Sequence, residues 1–180
     1  MELKTKRLIL RPLRMSDAKY IVEQISNLNV SRWLLVVPYP YTIKDARDWI
    51  KKTQEKWRKK KKEDYPFGIE LKSEARIIGG IGLHKANGYS ADVGYWLGED
   101  YWKKGYGSEA LEAVMNFAFK ELKLSRLEAG VFAGNPSSGK LLEKYGFEKE
   151  GYKRQAQVCK ADGKIKDEII YGLLKKEYKK

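Results

Sequence analysis

The chain has 180 residues, enough for one compact domain with a real core and crowded for two. Hydrophobic residues make up 42%, which excludes a disordered polymer, and 37 Lys and Arg against 24 Asp and Glu give a net charge of +13. Such an excess suits anionic partners (a polyphosphate cofactor, nucleic acid, an acidic protein) or else a highly charged solvated surface.

Near the N-terminus Leu8 and Leu10 alternate with Ile9 and Arg11, which predicts a strand over 7–13. Ser16 and Asp17 offer a cap for a helix from Ala18 to Ile25. The run Trp33-Leu34-Leu35-Val36-Val37, stopped by Pro38 and Pro40, reads as a short buried turn or helix. Thr42 with Asp45 forms the pattern of a capping box, and Ile43, Ala46, Trp49, Ile50, Thr53 and Trp57 follow at helical spacing. Lys59 to Lys62 close that helix, where cations suit the negative end of its dipole.

Two strands, 67–71 and 76–83, are predicted to turn at Ser73-Glu74-Ala75, and another strand covers 92–98. A helix runs from Ser108 to about Leu122, with Leu111, Val114, Met115, Ala118 and Leu122 as its buried stripe. A strand over 127–132 precedes a short helix opened by Asn135-Pro136 and reaching Tyr145. A terminal hairpin runs over 152–158 and 165–174 around Asp162-Gly163. No repeat or linker interrupts the order, so the expectation is α+β in a single domain over 1–180. The lone Cys159 excludes an intrachain disulfide and speaks against a Cys-based zinc site, so no metal is expected. No signal-like apolar core and no run near the roughly 20 residues of a membrane span occurs, so the expected setting is cytoplasmic, without membrane.

The chemistry concentrates in Asp92 to Leu111. A strand runs into a loop with Gly105 and Gly107 at alternate positions, and the loop opens a helix. Glycines let backbone approach a ligand closely, and the first amides of a helix lack internal partners at its positive end. Such a turn holds phosphate well, with Lys103 and Lys104 adding charge beside it. No Gly-Lys-Ser/Thr follows, which excludes a nucleotide-triphosphate loop, and the third Gly of a dinucleotide fingerprint is missing. A second group is Asn135-Pro136-Ser137-Ser138, then Leu141-Leu142-Glu143-Lys144-Tyr145-Gly146-Phe147, in which Asn135 caps a helix and Gly146 ends it.

Together these segments resemble the GNAT acetyltransferase superfamily. The first is similar to its Gln/Arg-x-x-Gly-x-Gly/Ala loop for the pyrophosphate of acetyl-CoA, the second to its Asn-x-x-Ser helix and Gly-Phe. Thr5 to Pro12 with Ser16-Asp17, and Pro40-Tyr41-Thr42 with Asp45-Ala46 and Trp49-Ile50, resemble the RimJ/RimL branch of ribosomal-protein acetyltransferases. The resemblance implies a mixed, mostly antiparallel sheet with helices on both faces. It also implies acetyl-CoA held by Lys103, Lys104, Gly105, Tyr106, Gly107 and Ser108. Amides near Trp96 and Leu97 would face the thioester oxygen, and Asn135 the pantetheine arm or an ordered water. Two departures stand out: Trp102 replaces the loop's Gln or Arg, and Leu142 replaces a Tyr that protonates the departing thiolate in many members.

Acetyl transfer needs a neutral amine. An α-amine, with a pKa of about 8, needs less help than a lysine at about 10.4. Asp92 is the first candidate base, at a strand position where several family members carry a Glu, and Glu70, flanked by Ile69 and Leu71, is the second. The resemblance further implies Ser138 as the donor to the leaving sulfur and Trp33 as an aromatic of the acceptor cleft. His84 has no triad spacing around it. The acceptor is then a protein N-terminus, with association with the ribosome, or a small amine. A homodimer is plausible for the branch. A non-catalytic acetyl-CoA sensor and a plain RNA binder are the competing readings.

Overall fold

Leu8 and Leu10 are fully buried on one side of their strand while Arg11 turns to the other, and this two-faced pattern recurs along the chain. The computed structural model describes residues 1–178. Its strands are β1 (Leu3–Lys4), β2 (Leu8–Arg11), β3 (Tyr65–Leu71), β4 (Arg76–His84), β5 (Ser90–Leu97), β6 (Arg126–Phe132), β7 (Glu148–Val158) and β8 (Ile165–Leu174). They form one sheet in the order β1-β2-β3-β4-β5-β6-β8-β7. Only β5 and β6 run parallel among these neighbours, which gives the mixed, mostly antiparallel α+β sheet that the resemblance implied.

The helices are α1 (Ala18–Ile25), α2 (Leu28–Ser31), α3 (Ile43–Arg58), α4 (Tyr106–Asn116) and α5 (Pro136–Lys144). A π-helical turn, Phe117–Glu121, extends α4. On one face, Leu111, Val114, Met115 and Leu142 of α4 and α5 pack on Leu8, Leu10, Ile69, Val93 and Leu127. On the other, Ile21, Ile25, Ala46 and Ile50 of α1 and α3 pack on Leu13 and Ile77. Burying each of these Leu, Ile, Val and Met side chains contributes about 1.5–3 kcal/mol. The second helical layer lies over β3 and β4, while Gly130 of β6 and most of β7 stay exposed.

Local signals set the ends. Thr42 Oγ1 accepts the Asp45 amide at 3.2 Å and the Asp45 carboxylate accepts the Thr42 amide at 2.9 Å, so the capping box forms. Two expectations are corrected. Asp17 makes no side-chain cap on α1. Its carboxylate instead accepts Arg11 Nη1 at 2.8 Å, Arg11 Nη2 at 3.0 Å and the Arg14 amide at 2.7 Å, because a buried guanidinium needs a counter-charge. The 33–37 run is neither buried nor helical, and Val36 is 74% exposed.

Candidate active site

Parallel pairing of β5 with β6 covers Ser90↔Arg126, Ala91↔Leu127 and Asp92↔Glu128, and then stops. Both strands continue, to Leu97 and to Phe132, so they part beyond Asp92 and leave an opening in the sheet. Strand alternation assigns the side chains around it. Ala91, Val93, Tyr95 and Leu97 join the core with α4 and α5, while Asp92 and Trp96 point to the α1/α3 side. Trp96 lies 6.3 Å from Trp49, ring to ring.

The loop after β5 ends at Gly105, whose φ of 81° is left-handed and suits glycine. The first amide to find a helical acceptor is that of Glu109, to Gly105 O at 3.1 Å. The amides of Tyr106, Gly107 and Ser108 therefore form the positive start of α4. Lys103, Lys104 and Lys144 rim it, with Lys144 Nζ 3.5 Å from Ser108 Oγ. Arg7 was not foreseen there. Its Nη1 donates to Lys104 O at 2.9 Å, and its guanidinium sits 4.4 Å over the Tyr106 ring. Glu109, in the first turn, anchors it through Nε at 2.7 Å and the Arg7 amide at 2.7 Å. Trp102 does not leave a hole in this loop: its indole N–H donates to Leu97 O at 2.9 Å and pins the end of β5.

Across the opening, Asn135 Oδ1 accepts the Ser138 amide at 3.3 Å and caps α5. Gly139 has no room for a Cβ because the Tyr171 hydroxyl fills it. Tyr95 reaches over from β5, its hydroxyl 2.8 Å from Ser138 Oγ. Burial pushes the Tyr95 phenol up to about 12. Sequence reading passed over Tyr95 because an inward tyrosine on a strand looks like any core aromatic.

On the α1/α3 side Asp92 pairs with Lys85 at 2.9 Å, and Glu128 with Arg126 at 2.9 Å. Glu168 of β8 lies over Gly130, where its carboxylate would overlap a Cβ. It keeps a longer contact, 3.7 Å, with Lys153. Lys85 is held above its ordinary pKa by its bond to Asp92, with Glu128 and Glu168 adding to the field. A net positive chain thus collects three carboxylates beside the opening. Glu70 is not among them. The second candidate base is instead tied into an ion pair: Arg11 Nε binds the Glu70 carboxylate at 2.5 Å, and β3 lies two strands away from β5. Trp33 stands 3.9 Å from the Cβ position of Gly134, at the end of β6, between Arg32 and Lys166. It lines a depression of about 300 Å³ with Ala133, Asp162, Lys164 and Asp167. Among the described residues no group of three His, Cys, Asp or Glu gathers to hold a metal ion, and no helix is long and apolar enough to cross a membrane.

Residues 7–148 match the family described as acetyltransferase (GNAT) domain. The chain belongs to the GNAT acetyltransferase family. An uncharacterized N-acetyltransferase, p20 of Bacillus licheniformis, is 34% identical over 177 residues, spanning 97% of this chain and 96% of that protein. The [ribosomal protein uS5]-alanine N-acetyltransferase of Escherichia coli is 30% identical over 110 residues, 59% of this chain and 56% of the relative. A GNAT-family acetyltransferase structure from Bacillus anthracis superposes with a TM-score of 0.84 at 28% identity, over 98% of this chain and 100% of that one. This GNAT chain is an acetyl-CoA-dependent N-acetyltransferase.

Proposed function

We propose that this enzyme acetylates the α-amine of a protein, with small primary amines as a second class of acceptor. The observation that carries the reading is the parting of β5 and β6 beyond Asp92, which joins an amide-rich cationic helix start to an open, carboxylate-bearing face. The first side fits a diphosphate: free amides from Tyr106 to Ser108, a left-handed Gly105 that brings the backbone close, and cations Arg7, Lys103, Lys104 and Lys144 around them. These residues would hold acetyl-CoA, with Asn135 along its pantetheine arm. When bound, acetyl-CoA supplies an activated acetyl thioester.

The chain's own groups then divide the work. Backbone amides near Trp96 and Leu97, where β5 stays paired with β4 but has left β6, steady negative charge on the acetyl oxygen. Ser138 presents its hydroxyl to the sulfur, a weak requirement because a thiol of pKa about 8.5 departs readily. Asp92 takes up the proton that the amine sheds, through water, since Lys85 already occupies one carboxylate oxygen. Trp33 forms one wall of the acceptor cleft.

Two facts favour a protein amine. The acceptor face is open, with Gly130 exposed, so an extended chain has access. The uS5-alanine relative, by its name, N-acetylates an alanine of a ribosomal protein. The second class rests on Asp92, Glu128 and Glu168, which offset the overall positive field where a cationic amine would enter. A cytoplasmic setting, approach to the ribosome through the +13 surface, and pairing of a second copy at the exposed β7 edge belong to the same proposal.

Acetyl transfer to short peptides of varied N-terminal residue, run beside a polyamine and free amino acids, tests it. Peptides are expected to exceed free amines by about tenfold or more in kcat/KM. Acetylation of free amines alone would refute the protein assignment. Asp92→Asn should lower kcat about a hundredfold with coenzyme A affinity unchanged. Full turnover in that variant would remove Asp92 as the base.

A further inference from the structure

Leu142, where the family resemblance implied a phenol, is fully buried in the core and has nothing to donate. A different phenol comes to the opening from the other side. Tyr95 lies on β5 beyond the last residue paired with β6, on the face shared with α4 and α5. Its hydroxyl stands 2.8 Å from Ser138 Oγ and 3.2 Å from Ser138 O, in the first turn of α5.

A phenol has one proton to give. Given to the Ser138 carbonyl, it would leave the Ser138 hydroxyl free to turn back and donate to Tyr95. Given to Oγ, it forces the Ser138 proton to point elsewhere, and the shorter contact is the one to Oγ. We propose that Tyr95 is a positioning residue for Ser138: its O–H donates to Ser138 Oγ and so directs the Ser138 proton at the sulfur of bound coenzyme A. This rests on the donor role given to Ser138 above. Tyr95 gives up no proton in the step. Burial holds its pKa at about 12, so it remains a neutral donor throughout the working pH range and is too weak an acid to protonate a thiolate of about 8.5.

The direct readout is the ionisation of the thiol in bound coenzyme A, followed by the ultraviolet absorbance of the thiolate. It is measured with the unaltered enzyme, Tyr95→Phe, Ser138→Ala and the double variant, beside kcat and the Kd for coenzyme A. A donor aimed at sulfur favours the thiolate, so the bound thiol should titrate below the free one. Tyr95→Phe should raise it by about half a unit, slow kcat by about threefold and leave Kd within about twofold. In the Ser138→Ala background the same change should do nothing further. Equal effects of Tyr95→Phe in both backgrounds, or none in either, would overturn the proposal while leaving Ser138 in place. A loss of coenzyme A affinity with the thiol titration unmoved would mark a packing role and overturn it too. If Ser138→Ala alone changes neither titration nor turnover, the Ser138 reading falls first and this one with it.

Discussion

Arg11 sits in the sheet with 4% of its surface exposed, held between Asp17 and Glu70. Burial works against its charge, but the bonds and charges of the two carboxylates outweigh that and raise its pKa. Glu70 is therefore half of a structural ion pair. Glu70→Gln is expected to lower stability by about 1–3 kcal/mol, seen as a lower Tm, and to leave kcat near normal. A selective loss of kcat would restore it as a base. Arg7 carries the opposite lesson. It lies about a hundred positions from the loop that it braces through Lys104 O, and one sequence holds no signal for so distant a contact. Arg7→Met should weaken coenzyme A binding about three- to tenfold by calorimetry. Tyr95 and Trp102 were hidden differently: their residue types fit a plain core as well as a site, and only the partners Ser138 and Leu97 O decide.

At the scale of elements, most helices and strands were legible because their signals are local. Thr42 and Asp45 mark the start of α3, and Asn135-Pro136 the start of α5, within four residues. The 33–37 run misled because an apolar string bounded by prolines does not say which side faces a core. The start of α4 is the element the proposed chemistry rests on, and it makes two predictions. Gly105→Ala forces a Cβ onto a left-handed residue and toward Arg7 Nη2, 3.3 Å away. It should cost about 1 kcal/mol of stability and weaken coenzyme A binding together, by melting and calorimetry. Glu109 supplies a pH signature. Burial opposes its charge, but bonds from Thr5 and Arg7 prevail and hold its pKa below the ordinary 4.5. A depressed acid stabilises the fold above its ordinary pKa and loses that contribution as pH falls through the depressed value. The Tm gap between the unaltered protein and Glu109→Gln should be full at neutral pH and close as the solution is acidified below the carboxylate range. A gap that widens in acid would contradict the assignment.

For the whole molecule, the fold class followed from element order, but the strand order did not. Which strands adjoin, and where β5 leaves β6, depend on pairings between residues tens of positions apart. Charge shows the same limit. The +13 total says the field is positive, yet not that Asp92, Glu128 and Glu168 gather beside the opening while cations gather at the start of α4. The most direct test follows the amides themselves. Backbone amide shifts of labelled protein are recorded on titration with coenzyme A and, separately, with pantetheine, which has no diphosphate. Gly105, Tyr106, Gly107 and Ser108 should move most with coenzyme A and stay nearly still with pantetheine. Saturation by coenzyme A with those four amides unmoved would contradict the site.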